Sequence, residues 1–172
     1  SLGDTLRHMG RLQESEELYR QAAGVFRAIG SAAVVYPEYN AALNLVAQGR
    51  VDEALPTIRS ARDRFERLDN TAGLANAQLA LAVCAAHGGR WSAWDDHFSD
   101  CLATRGRSTS TDEDLAWMAE VGGTRAREAG QGYRARQAFQ LALEIWTALD
   151  RSNRVASVRA QLTALKEEDP RA

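Results

Sequence analysis

A short segment that ends one apolar helix and begins another occurs four times along the chain at a nearly constant interval. It is clearest in PEYNAALNLVAQGRVDEAL, residues 37–55, where the break falls at Gly49. The segment recurs around Gly10, Gly89 and Gly130, so that successive glycines are 39, 40 and 41 residues apart. A repeat of this length predicts pairs of helices that stack on their neighbours, because one pair alone cannot bury its apolar surface.

Alignment on these glycines brings residues of matching size into other columns. A small residue stands seven positions before each glycine and a large apolar residue nine positions after it: Gly3, Ala42, Ala82 and Gly123 are the small ones, and Tyr19, Ile58, Phe98 and Phe139 the large ones. Small residues let antiparallel helices approach closely, and the large residue fills the space beside them. Each turn glycine is expected to adopt the left-handed conformation that ends a helix.

Composition favours an all-α protein and argues against two classes of partner. The 172 residues include only three prolines and are rich in residues that form helices readily. A net charge of −2 provides no basic excess for nucleic acid. The longest apolar run, residues 79–86, is too short to cross a membrane. Cys84 and Cys101 lack CxxC spacing and are interpreted as buried thiols in a reducing compartment, in line with the cytoplasm.

The pattern predicts four helix pairs and a final helix within one domain. The repeats span about 1–30, 31–69, 70–106 and 110–150, with helices at 2–9 and 12–29, 34–48 and 51–68, 71–88 and 91–104, and 112–129 and 132–149. A capping helix at 154–168 is expected to expose Arg154, Arg159, Lys166 and Glu167 on a solvated outer face. The polar segment 104–114 is predicted to be a loop, with Ser110 or Thr111 capping the next helix. Because Ser1 falls partway through a repeat, the chain is expected to be a piece of a longer protein.

No pattern of catalytic or metal-binding residues stands out. In WDDHF, residues 94–98, Asp95, Asp96 and His97 point about 100° apart on a helix and cannot converge on one ion without help. A solvated helix face is the favoured interpretation. Phosphate-binding loops, HExxH and nucleophile elbows are absent from the sequence. We therefore expect no enzymatic activity, no metal site and no cofactor.

The repeat columns resemble the tetratricopeptide repeat. The resemblance is carried by Leu2-Gly3 in a first helix and by Ala135, Phe139 and Ala142 in a second helix, and it covers nearly the whole chain. The period is longer than the usual 34 residues, and Trp94 replaces a small residue. Long repeats of this kind look like the arrays attached to bacterial signalling ATPases, transcription regulators and Ser/Thr kinases. The resemblance implies a right-handed solenoid, with HEAT-type helical repeats as the structural alternative.

The resemblance also implies a concave face lined by the first helix of each pair. Its predicted partner-binding residues are Arg7, Tyr36, Tyr39, Asn40, Leu43, Asn76, Leu79, Val83, His87, Trp117, Glu120, Thr124 and Arg127. Asn40 occupies the position at which peptide-binding members hold the ligand backbone, and Tyr39, Asn40 and Leu79 are expected to be partly exposed. The basic residues of the carboxylate-clamp subtype are missing, so a C-terminal carboxylate is not the expected ligand.

A packing role competes with this groove. Tyr36, Tyr39 and Trp117 could pack against neighbouring helices instead of a partner. Trp91 and Trp94 are interpreted as core residues, and Trp94 is expected to push the two helices of its pair apart.

The sequence thus predicts a protein–protein interaction module that docks a protein or peptide segment within a larger signalling protein. One alternative is a sensor that encloses a small peptide or metabolite and changes curvature. Another is self-association through exposed repeat ends.

Overall fold

Nine helices make up the regular structure of the described residues. The computed structural model describes residues 1–107 and 112–168, and within these ranges it contains no strand. The helices are α1 (Leu2–His8), α2 (Leu12–Ala28), α3 (Val35–Ala47), α4 (Val51–Arg67), α5 (Thr71–His87), α6 (Trp91–Arg105), α7 (Glu113–Glu128), α8 (Gly132–Ala148) and α9 (Ser152–Glu168), with a 3-10 turn at Ala32–Val34. Every predicted helix is confirmed, with boundaries that differ by at most two residues.

The turns inside the helix pairs share one backbone conformation. Gly10, Gly49, Gly89 and Gly130 all have positive φ, from 66° to 78°, which confirms the prediction for the turn glycines. Twenty residues after Gly49 and Gly130, Asp69 and Asp150 also have positive φ, 50° and 54°. The connections after these two helix pairs therefore also contain a residue in the left-handed conformation, here aspartate instead of glycine.

The small and large columns meet in the core, as their sizes predict. A Cβ atom added to Gly3 would lie 2.6 Å from the ring of Tyr19, and one added to Gly123 would lie 2.8 Å from the ring of Phe139. These contacts leave no room for a methyl group, because carbon atoms pack at about 3.5–4.0 Å. The two columns fix how closely the helices of a pair approach.

The first helices of the pairs lie inside and the second helices outside. Eleven of the 17 residues of α5 are buried, against four of 15 in α6, and nine of the 13 residues of α3 are buried, against four of 17 in α4. Consecutive helices pack against each other from α1 to α6 and from α7 to α9, α5 packs directly on α7, and α3 reaches both α5 and α7. The inner helices α3, α5 and α7 therefore converge, and α3 and α5 bury most of their residues.

Trp94 is a core residue, as predicted, but it does not separate the helices of its pair. Its exposed fraction is 0%, and α5 and α6 make the most extensive contact of any helix pair in the described ranges. The end of its indole faces Gly122 on α7, where an added Cβ would lie 2.9 Å from the ring. The expected separation is wrong because a glycine of the next pair provides the space for the indole.

Two local predictions near the helix ends need correction or completion. The N-cap of α7 is Asp112, whose Oδ1 accepts a hydrogen bond from the backbone N–H of Asp114 at 2.8 Å. The predicted caps, Ser110 and Thr111, lie outside the described residues. Arg154 does not lie on an outer face: its side chain turns inward from α9 to Glu120 on α7, with an N–O distance of 2.9 Å.

Candidate protein-binding site on the inner side

The predicted groove residues divide into three classes of exposure. Seven are buried, namely Arg7, Tyr39, Leu43, Asn76, Leu79, Val83 and Trp117. Asn40, His87, Glu120 and Arg127 are partly exposed, and Tyr36 and Thr124 are exposed. Most of the predicted set is thus covered in the free protein, and contact of any of these residues with a partner stays a prediction.

The expected partial exposure of Tyr39 and Leu79 is wrong. Their exposed fractions are 5% and 0%. The ring of Tyr39 packs edge-on against Phe65 of α4, with the ring centres 5.5 Å apart, and Leu79 belongs to the continuous core of α3, α5 and α7. Tyr36 also packs beside Phe65, at 5.8 Å, although 46% of it remains exposed. The two tyrosines therefore contribute to packing against α4.

Arg7 closes the inner side by joining α1 to α3 and α7. Its Nε donates to Oδ1 of Asn44 at 2.9 Å, its Nη2 donates to the backbone O and Oδ1 of Asn40 at 3.1 Å each, and its Nη1 pairs with Asp114. The guanidinium also lies over the ring of Trp117, 4.9 Å from its centre. A buried charge needs this degree of pairing, since an unpaired one would be strongly destabilising.

Three of the acidic side chains of α7 are paired with arginines from the first and last parts of the chain. Besides the Asp114 pair with α1, Glu113 accepts from Nε of Arg151 at 2.8 Å, just before α9. Glu120 accepts from Trp146 Nε1 at 2.5 Å and pairs with Arg154 at 2.9 Å. Three carboxylates of one helix thus fix the first and last helices on the inner side.

An open cleft of about 380 Å³ remains beside this closed region. It lies among the last residue of α5, residues 117–128 of α7, the last residue of α3 and the start of α9, and its lining residues are Ala47, His87, Trp117, Glu120, Val121, Thr124, Arg125, Glu128 and Arg154. We call this region the inner cleft. It brings together four of the predicted groove residues, His87, Trp117, Glu120 and Thr124.

The inner cleft combines hydrogen-bond donors, acceptors and one aromatic surface. Burial raises the pKa of Glu120, although the nearby Arg154 opposes the shift. Burial also lowers the pKa of His87, and the charge of Arg125 lowers it further, so this imidazole is neutral at pH 7. Nε of Arg125 is buried without a hydrogen-bond partner among the described residues. The cleft therefore presents both charges and a neutral imidazole to a bound segment.

Sequence reasoning missed several residues of this side. Arg125 and Glu128 follow Val121 at i+4 and i+7 on α7, so helical periodicity alone places them on one face with Thr124. No local signal identifies Asn44 or Asp114 as partners of Arg7, because Asp114 is 107 residues distant in sequence. Arg127, a predicted groove residue, instead donates to Gln161 of α9 at 2.7 Å.

A second, more apolar groove lies on the outer side between α6 and α8. It measures about 350 Å³ and exposes Leu102 by 42% and Tyr133 by 67%. Asp95 of the WDDHF segment is bound there by Arg134, with N–O distances of 2.8 and 2.6 Å. In the described ranges, no three His, Cys, Asp or Glu side chains are grouped so that they could hold a metal ion.

Cys84 and Cys101 are free and buried, as predicted, and burial raises the pKa of each thiol to about 12. Within the described part of the chain, no helix has the length and apolar character needed to cross a membrane.

Comparison of the sequence with models of known protein families and with curated protein sequences gave no match.

Proposed function

We propose that this chain is a non-catalytic docking domain that binds a segment of another protein in the inner cleft. In this proposal the four helix pairs form a right-handed solenoid of the tetratricopeptide type, within a larger bacterial signalling or regulatory protein of the cytoplasm. The turn glycines at intervals of 39 to 41 residues, their shared positive φ and the packing of consecutive helices support this assignment.

The composition of the inner cleft is the observation that carries the proposal. Glu120, Glu128, Arg125, Thr124 and His87 place acceptors and donors around one cavity. A protein segment offers both kinds of group in its backbone and side chains, so a lining with mixed hydrogen-bonding character suits it. The partly exposed rim of α7 leaves the cleft accessible from solvent, as docking of an extended segment requires.

A sensor of a small peptide or metabolite is the second candidate. The volume of about 380 Å³ favours it, because pockets for small molecules measure about 300–1,000 Å³. Such a ligand would contact α5, α7 and α9 together and could change their relative positions. Binding of free amino acids or dipeptides, without binding of longer peptides, would select this candidate.

Selection of binding peptides from a random library tests the docking proposal. Thr124 is exposed in the inner cleft, so Thr124→Arg should obstruct it with little effect on folding. Thr147→Arg is the matched control, because Thr147 is exposed on α8 away from the cleft. We expect peptides selected on the wild-type protein to lose at least tenfold in affinity with Thr124→Arg and to retain it with Thr147→Arg. Equal affinity for both variants would contradict the proposal.

A further inference from the structure

The environment of Arg7 is a complete binding site for a guanidinium group. All three nitrogen atoms of its guanidinium have acceptors, and its planar faces lie near Trp117 and Tyr19, at 4.9 and 5.3 Å from the ring centres. Planar donors, a carboxylate and aromatic faces are the features that distinguish recognition of arginine from recognition of lysine. The side chain of Arg7 has no exposed surface.

Most of this site belongs to helices other than the one that supplies Arg7. Asn40 and Asn44 lie on α3, and Asp114 and Trp117 lie on α7. We call these four residues the guanidinium site. They are one helical turn apart in each helix, with Asn44 and Trp117 buried at 0% and 7% exposure. The site is therefore built into the packed inner helices, and Arg7 enters it as a side chain from outside.

The helix that carries Arg7 is short. α1 has seven residues, fewer than an isolated helix needs for stability, and it is joined to α2 through the turn at Gly10. It also contacts α2, through the packing of Gly3 on Tyr19 and the hydrogen bond from the Tyr19 hydroxyl to Asp4. His8 joins α1 to α7 and α8, with its Nε2 3.5 Å from a carboxylate oxygen of Glu113 and its ring edge-on to Trp146 at 6.2 Å. Because α5 packs on both α3 and α7, these two helices stay connected when Arg7 is withdrawn.

Without Arg7 the site would carry uncompensated negative charge. Asp114 would lose its arginine, and Asp112 lies close enough for the charge of Asp114 to raise its pKa further beyond the effect of burial. The hydroxyl of Tyr39, buried nearby, has no hydrogen-bond partner among the described residues. This arrangement attracts a cation with several donors.

We propose that the guanidinium site binds an arginine side chain of the partner segment, and that Arg7 occupies the site in the free protein. This inference rests on the proposed function, since it assigns the chemistry of the segment docked in the inner cleft. Trp117 connects the two regions, because it lines the cleft and also contacts the guanidinium of Arg7. Arg151 and Arg154 bind carboxylates of the same helix, α7, so the partner would repeat a mode of contact already used within the chain.

Chemical rescue of Arg7→Ala by methylguanidinium tests the site without any partner. A ligand that binds only the folded state raises its stability. We expect millimolar methylguanidinium to raise the melting temperature of Arg7→Ala by several degrees and to leave the wild-type protein unchanged, because its site is filled. We expect no rise in melting temperature when methylammonium is added to Arg7→Ala. We expect none either when methylguanidinium is added to the double variant Arg7→Ala/Asp114→Asn. If Arg7→Ala is unfolded in buffer, the helical circular dichroism signal is measured instead of the melting temperature, and it should recover during the same titration.

The partner's arginine is tested with N-acetyl-arginine amide and its lysine counterpart. We expect the arginine compound to bind Arg7→Ala at least tenfold more tightly than it binds the wild-type protein, and the lysine compound to bind neither. Absence of methylguanidinium rescue, or equal rescue of the double variant, would overturn the guanidinium site. That result is independent of the Thr124→Arg comparison, so failure of the site and failure of the docking proposal can be distinguished.

Discussion

Arg7 and Asp114 form an ion pair that joins the first helix of the chain to the seventh, across 107 residues of sequence. The arginine side chain is fully buried, and 23% of the aspartate side chain is exposed. This pair closes the inner side at the place where the tetratricopeptide resemblance implies an open groove. The inner cleft next to this pair remains open.

Removal of the carboxylate charge at Asp114 should destabilise the fold. Asp114→Asn leaves the guanidinium of Arg7 buried without its counter-charge, and loss of one partner of a buried pair costs about 3–5 kcal/mol. We expect a loss of about 2 kcal/mol or more in the free energy of unfolding, since Asp114 is partly exposed. Urea unfolding measures it. Glu144→Gln is the control, because the Glu144 side chain, which pairs with Arg105, is 64% exposed, and its change should alter stability by less than about 1 kcal/mol.

The turn glycines should tolerate alanine poorly even where space is available. At Gly49 φ is 78°, and an added Cβ would meet only His87 at the ordinary distance of 3.9 Å, so the cost of Gly49→Ala comes from the backbone. We expect a loss of about 1 kcal/mol. Gly24→Ala is the matched control: Gly24 lies inside α2 with open space around it, and alanine there should stabilise by up to about 1 kcal/mol. Thermal unfolding measures both effects. If the two variants shift the melting temperature in the same direction, this interpretation is contradicted.

Truncation of Tyr39 should be severe. Partial exposure, as the sequence predicts, would leave Tyr39→Ala with near-native melting, but the observed burial implies a loss of about 3–5 kcal/mol. Tyr36→Ala serves as the control, because Tyr36 packs beside the same Phe65 yet is 46% exposed, and it should lose less than half as much. Equal losses for the two tyrosines in chemical denaturation would show that burial does not decide the effect.

Stability should decline as the pH falls below 6.5. Burial lowers the pKa of His8, His87 and His97 from the usual 6.5, so the unfolded chain binds more protons than the folded chain in this range. The free energy of unfolding is therefore highest above pH 6.5 and falls as the pH drops toward the lowered folded-state values.

Denaturant unfolding at a series of pH values on either side of 6.5 measures this decline. The triple variant with glutamine at these three positions should show a flatter profile. The raised pKa of Glu120 acts in the opposite direction, because it makes the folded chain bind more protons than the unfolded chain. An unchanged slope in the triple variant would assign the decline to other groups.

The helices and turns could be predicted from sequence because their signals are local and recur. Gly49 and its equivalents require a left-handed turn, and the size match of Gly123 with Phe139 reports a contact within one helix pair. Exposure of the inner side chains could not be predicted in this way. It depends on how neighbouring pairs are oriented, as where Gly122 receives the ring of Trp94 from the preceding pair.

The long-range ion pairs of the buried arginines could not be predicted from local sequence either. Arg154 stands in a polar stretch of α9 typical of a solvated face, but its side chain lies over the ring of Trp146 at 5.0 Å and pairs with Glu120. Arg7 is buried through partners on two other helices. In both cases a charged residue points inward because a carboxylate on α7 offsets the cost of burial.

Hydrogen exchange of the wild-type protein, with and without a selected peptide, tests the docking proposal most directly. We expect the peptide to slow amide exchange at His87 and in residues 117–128, which border the inner cleft. Exchange in residues 98–102 and 133–137, which border the outer groove, should stay unchanged. Protection of the outer groove with no change at the inner cleft would contradict the proposal and place the binding surface between α6 and α8.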